Sequence, residues 1–177
     1  MADLSKINLN GTIYNFKDTE ARAAIANDVM VKNVDYVTAG KASDITMGEK
    51  ATAEGYNTKP TGRYSHAEGS NARASGNNSH AEGGATEASG TMAHAEGTNT
   101  TASGTNSHAE GISTIASGYA AHAEGDKTHA SHRSQHVFGT CNILDNSTAP
   151  ANSKGNYVEI VGNGTDNNNR SNARTLD

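Results

Sequence analysis

Five histidines recur every 14 residues, at His66, His80, His94, His108 and His122, and each is followed two positions later by a glutamate: Glu68, Glu82, Glu96, Glu110 and Glu124. Imidazole and carboxylate together suit zinc, nickel or copper, and imidazole titrates near neutrality. A metal site needs a few converging ligands backed by a second shell, whereas an evenly spaced series makes an extended column. These ten residues are therefore read as a side-chain ladder at an interface between chains. No metal or other cofactor is assigned, and an ion at one or more levels is the alternative. A protonated histidine in such a ladder gains from a neighbouring glutamate and is repelled by the histidines above and below. Assembly is accordingly expected to depend on pH between about 5 and 7.

Other reactive patterns fail on geometry. Ser65-His66-Ala67-Glu68 holds the residue types of a hydrolase triad, but neighbours on an extended strand point to opposite faces, and a triad needs its members within hydrogen-bond reach. The His-Glu-x-x-His pattern, phosphate-binding glycine loops and calcium-binding Gly-Gly-x-Gly-x-Asp repeats are absent from the sequence. Cys141 is the single cysteine, so no disulfide framework or thiolate zinc site can form within the chain. No catalytic residue is assigned, and the chain is not expected to be an enzyme.

The histidines belong to a longer repeat. From Ser65 the chain runs SHAEGSNARASGNN, SHAEGGATEASGTM, AHAEGTNTTASGTN, SHAEGISTIASGYA and AHAEGDKTHASHRS, with a looser copy upstream at residues 51–64. Ile45 and Gly48 match Ile115 and Gly118 five periods on, and Gln135-His136-Val137-Phe138-Gly139 opens a copy that then breaks. Counting Ser65 as position 1, small residues at 1 and 3 with Gly at 5 are echoed by small residues at 8 and 10 with Gly at 12. Alternation over such a stretch marks a strand, and glycine after each marks a turn where positive φ is cheap. One copy is thus strand, turn, strand, turn, the coil of a β-solenoid. Positions 1, 3, 8 and 10 face inward. Positions 2 and 4, the ladder, face outward and are the same in every copy, which fits a repeated partner. Positions 9 and 11 also face outward, and this face differs from copy to copy at position 9 (Arg73, Glu87, Thr101, Ile115 and His129) beside a constant Ser at position 11, which fits solvent.

Composition agrees with a thin interior. The chain has 177 residues, 27 Ala, 19 Gly and no Trp, while Leu, Ile, Val and Phe together number 21. That is about 12%, below the rough 20% level of ordinary globular cores. The net charge of −5 is too small for charge-driven disorder and gives no electrostatic case for nucleic acid. No apolar run approaches the roughly 20 residues of a membrane span, and Met1–Lys6 lacks the apolar stretch of a secretory signal. Neither nucleic acid nor membrane is expected as a partner.

The five in-register copies resemble the head repeat of YadA-like trimeric adhesins, over about Ile45–Gly139. The resemblance implies an all-β fold, a left-handed parallel β-roll of 14-residue coils, assembled as a homotrimer about one axis. In that family the residues flanking the first strand's central alanine are usually apolar and face the axis. Here they are His and Glu, which implies a polar trimer interface. The HAEG-rich copies, with residues 135–139, 157–165 and 170–177, look like bacteriophage and prophage fibre proteins, and residues 7–18 are similar to the start of phage fibre and baseplate-attached proteins. The function so implied is a structural fibre or spike of a phage virion, a head, neck or tail appendage. It is made in the host cytoplasm, bound to other virion proteins through its N-terminal region, and has host-surface attachment to a receptor as a further role. The alternatives are a bacterial trimeric surface adhesin fragment, and a fibre precursor that cleaves off a C-terminal chaperone beginning in the polar tail at Asp166–Asp177.

Three regions follow: an N-terminal anchor or cap over residues 1–44, β-roll repeats over 45–139, and a C-terminal cap with a polar tail over 140–177. Ile7, Leu9, Ile13, Tyr14 and Phe16 around Asn10-Gly11 predict a small hairpin. Glu20–Asn27 reads as a short helix capped by Asp18-Thr19, with Ala21, Ala24 and Ile25 as a narrow stripe. Beyond the repeats, Phe138, Ile143 and Leu144 are expected to close the roll, 146–154 to form a loop, and Tyr157–Val161 to form a strand.

Overall fold

The structure, a computed structural model, describes residues 6–9, 12–15, 37–42 and 45–177. Among these there are strands and turns but no helix, hence none long and apolar enough to cross a membrane. Strands β1 (Lys6–Leu9) and β2 (Thr12–Asn15) pair antiparallel with Leu9 opposite Thr12, as expected on either side of Asn10-Gly11. The turn itself and the expected helix at Glu20–Asn27 lie outside the described residues.

A β-solenoid of 14-residue coils fills most of the rest. Strand β3 (Val37–Lys41) pairs parallel with β4 (Thr52–Pro60), so strand pairing reaches back ahead of Ile45. Each later coil adds one longer strand and one short one: β5 (His66–Ser70) and β6 (Arg73–Ala74), β7 (His80–Gly84) and β8 (Glu87–Ala88), β9 (His94–Thr98) and β10 (Thr101–Ala102), β11 (His108–Ile112) and β12 (Ile115–Ala116), β13 (His122–Asp126) and β14 (His129–Ala130). Long strands pair in parallel with long, short with short, and each residue meets its equivalent 14 positions away. Strand β15 (His136–Thr140) continues the long-strand stack.

The inward set is the one the alternation predicted. Ala67, Ala81, Ala95, Ala109 and Ala123 are fully buried, as are Ala74, Ala88, Ala102, Ala116 and Ala130 on the short strands. Ser65, Ser79 and Ser107 are buried too, each donating its hydroxyl to the carbonyl of the glycine three residues before it, at 2.7 Å. Methyl-sized side chains let the two strand stacks approach, and backbone hydrogen bonds between coils supply the cohesion that a bulky core would supply elsewhere.

The glycines differ from expectation. At position 5 they do take positive φ, as at Gly97 (φ 104). At position 12 they do not, and the reason for glycine is close approach: a Cβ on Gly104 would sit 2.0 Å from the Gly118 carbonyl oxygen of the next coil. The left-handed turn residues are instead those at positions 7 and 14, such as Asn71 (φ 59), Asn78 (φ 55), Asn99 (φ 55) and Asn106 (φ 58), a conformation asparagine tolerates. His132 takes position 12 in the final coil. Gly118 below it still has no room, its Cβ falling 2.1 Å from the His132 carbonyl, while the His132 ring itself is buried against Ala149 and Gly155 of the segment that follows.

Past β15 the repeat is interrupted. Strand β16 (Glu159–Asn163) resumes the stack with His136 opposite Glu159 and Gly139 opposite Gly162, and β17 (Asn172–Leu176) pairs with it antiparallel. The strand expected at Tyr157–Val161 therefore lies two residues further on. The expectation that Phe138, Ile143 and Leu144 close the roll is corrected: Ile143 and Leu144 are exposed (52% and 44%), while Val137, Ile160, Gln135, Asn142 and Asp145 are buried. A polar network does the packing there. The Asp145 carboxylate accepts from Gln135 Nε2 (2.9 Å), the Tyr157 amide (3.1 Å) and the Ser147 amide (2.9 Å), and Gln135 Oε1 accepts from the Ser131 amide (2.8 Å).

Candidate functional site

The parallel register turns the sequence repeat into two columns on one outer strip. His66, His80, His94, His108 and His122 stack ring on ring, with centroids 4.7–4.8 Å apart and planes within 3–12°. The stack has a sixth rung, His136, 4.9 Å from His122. Its sign in the sequence was the His of the broken copy at Gln135–Gly139. The column ends where Glu159 takes the next place, and Phe138, at the glutamate position, tilts against His136 at 5.1 Å. Glu68, Glu82, Glu96, Glu110 and Glu124 form the second column, begun one coil earlier by Glu54, whose coil has Thr52 in the histidine place. An open groove of about 370 Å³ follows this column along Glu54, Glu68, Glu82 and the glycines beside them.

All ten predicted ladder residues thus share one strip, brought there by strands whose neighbours on either side, Ala67 for example, point into the core. The strip is half-buried, with histidine side chains about one-third exposed. Imidazole Nε2 lies 3.8 Å from the carboxylate of its own coil at His66–Glu68, His80–Glu82 and His94–Glu96. His80 Nε2 is also 4.0 Å from Glu68. Higher up, the closer carboxylate belongs to the coil below: His122 Nε2 donates to Glu110 Oε1 at 3.2 Å, and His136 Nε2 is 3.8 Å from Glu124. The Nε2 atoms of His66, His80, His94, His108 and His136 are buried and have no hydrogen-bond partner. Burial, first, and then the adjacent imidazoles push the pKa of His80 and His108 below the usual histidine value, against the opposing pull of their glutamates.

Ser65 and His66 do not come together as a triad would need, since the Ser65 hydroxyl is buried and donates to the Gly62 carbonyl. On the other strand stack the outer residues differ from coil to coil. Arg73 and Glu87 sit 4.0 Å apart, Ile115 is exposed, and His129 bonds Ser117 at 3.1 Å.

The family model for the YadA head domain repeat matches the chain twice, at residues 88–107 and 109–128. These coils are similar to YadA head repeats. The two matched stretches hold the ladder residues His94, Glu96, Glu110, His122 and Glu124, so part of the polar strip lies within the coils that match. No curated protein and no solved structure matches the chain.

Proposed function

We propose that this chain is a trimeric, adhesin-like fibre protein in which the His/Glu ladder of each chain faces the other two. One observation carries the reading: the strip of positions 2 and 4 holds His and Glu in register at coil after coil, with its histidine side chains about one-third exposed. A strip so uniform matches copies of itself at every level. The match to YadA head repeats, a family whose head domains form homotrimers, supports self-association, as does an alanine core too thin to stabilise a lone chain generously. In this reading the coils take the left-handed sense of that family. Residues 1–44 form the anchor, 45–139 the shaft, and 140–177 the far cap, where β17 covers the edge of β16.

Such a fibre acts by display and contact, not by catalysis. A virion appendage and a bacterial surface fibre both suit it, and the likeness of residues 135–139 and 157–165 to phage fibres is the ground for preferring the virion. Attachment to a host surface would then use the variable outer positions. Light scattering coupled to size exclusion tests the assembly. The expected mass is three times 18.3 kDa, about 55 kDa, and a folded 18.3 kDa species overturns the proposal.

A further inference from the structure

We propose that the ladder binds divalent transition-metal ions of the zinc class, each held by imidazole Nε2 atoms and carboxylate oxygens from successive coils. Four groups of three such residues have ligand atoms within 4.8 Å of one another: His66/Glu68/His80, His80/Glu82/His94, His94/Glu96/His108 and Glu110/His122/Glu124. Considered without its stacking, the column looks too extended to converge on an ion. Strand spacing is what brings ligands of neighbouring coils together: Glu68 lies 3.8 Å from His66 and 4.0 Å from His80, and His122 sits with both Glu110 and Glu124.

Zinc–nitrogen and zinc–oxygen bonds of about 2.1 Å place two ligand atoms of one tetrahedral ion about 3.4 Å apart. The carboxylate–imidazole separations of 3.8–4.0 Å come within the reach of glutamate side-chain rotation, whereas the stacked imidazoles, 4.7–4.8 Å between centroids, must tilt toward each other by about 1 Å to share an ion. The buried Nε2 atoms, unpartnered in the chain, supply lone pairs when the ring proton sits on Nδ1. Stacked carboxylates repel one another at strand spacing, and a divalent cation between them relieves that repulsion. Mixed nitrogen and oxygen donors favour zinc, nickel, cobalt or copper over magnesium or calcium, which prefer oxygen alone.

Stoichiometry follows from the sharing of residues. His80 and His94 each belong to two groups, so the group around Glu82 competes with both its neighbours. The other three share no residue, so these groups, among the described residues, take at most three ions. The proposal rests on the geometry of one chain and stands whether or not three chains assemble.

Tag-free full-length protein, stripped with EDTA and exchanged into chelator-free buffer, is titrated with zinc chloride by calorimetry, with bound ions counted by native mass spectrometry. The expected result is saturable binding of one to three ions per chain, no binding of magnesium chloride, and loss of one ion or an affinity at least about tenfold weaker in His94→Gln. Glu87→Gln, outside the ladder, binds as the parent does. Should His94→Gln fail to fold, Glu96→Gln removes a ligand of the same group while keeping side-chain shape. Less than one zinc ion per chain in the unsubstituted protein overturns the proposal, as does unchanged binding in a folded ladder variant. A trimer that binds no zinc refutes this inference alone, and a monomer that binds zinc refutes the trimer alone.

Discussion

Gly104→Ala tests the physical basis of the coil stack. The added Cβ would lie 2.0 Å from the Gly118 carbonyl oxygen, 2.6 Å from its carbon and 2.9 Å from the Ser117 oxygen, all of them backbone atoms. No rotamer relieves the clash, so the coils must part by more than 1 Å to reach ordinary contact at about 3.4 Å. That movement breaks the bonds from the Ser103 and Gly104 amides to the Ala116 carbonyl, at 2.9 and 3.1 Å. Two lost bonds at about 1 kcal/mol each, added to overpacking of about 1–3 kcal/mol, give a destabilisation of about 3–5 kcal/mol. For a chain of this length that is a fall in Tm on the order of 10 °C or more. Gly84→Ala is the internal control. Its nearest neighbour would be the Thr98 side chain at 3.9 Å, so the lower chain entropy of alanine should leave it neutral or more stable by about 0.4–1 kcal/mol. Urea and thermal unfolding followed by circular dichroism, with hydrogen exchange at the Ser103 and Gly104 amides, measures both. A Gly104→Ala protein within 1 kcal/mol of Gly84→Ala would refute the close-approach argument.

Acidification should weaken the metal-free fold. Burial, then neighbouring imidazoles at His80 and His108, and burial, then Arg170 and His132 at His129, hold these three below the usual histidine pKa. The unfolded chain therefore binds more protons below about pH 6.5, and stability present above that pH is lost as it falls; chelator-treated protein melted at pH 7.5 and pH 5 should show a lower Tm at pH 5. Asp145→Ala strands three donors, Gln135 Nε2 and the Ser147 and Tyr157 amides, and should cost about 3–6 kcal/mol locally, seen as faster proteolysis within residues 146–156. Thr100 buries a hydroxyl that has no hydrogen-bond partner, so Thr100→Val should be neutral or stabilising by about 1 kcal/mol in the same denaturation assay.

Much of the coil was legible because strand alternation has a period of two and the repeat has constant length. Ser65, Ala67, Ala72 and Ala74 are buried as their spacing required, and the ten ladder residues share one face for the same reason. What was not legible depends on neighbours in space. Gly104 is glycine because of Gly118 one coil above, a fact that no local turn rule contains. Lys127 and Met92 adopt left-handed φ (54 and 56) with nothing in their residue types to announce it. The displaced β16 re-enters the stack after an interruption whose length breaks the 14-residue count. Asp145 closes a network with Gln135 and Tyr157 that are far from it in sequence. At the site, the columns were legible, but the meeting of ligands from neighbouring coils, such as Glu68 with both His66 and His80, came only from the strand spacing.

The central claim, that identical ladders face one another, is tested most directly by disulfide trapping. Glu96→Cys places a thiol on the strip and Ser103→Cys places one on the variable face, while the native Cys141 is buried (1% exposed) and stays out of reach. Under mild oxidation, Glu96→Cys should yield covalent dimers between chains and Ser103→Cys should stay monomeric on a denaturing gel. Dimers from Ser103→Cys with none from Glu96→Cys would contradict the account.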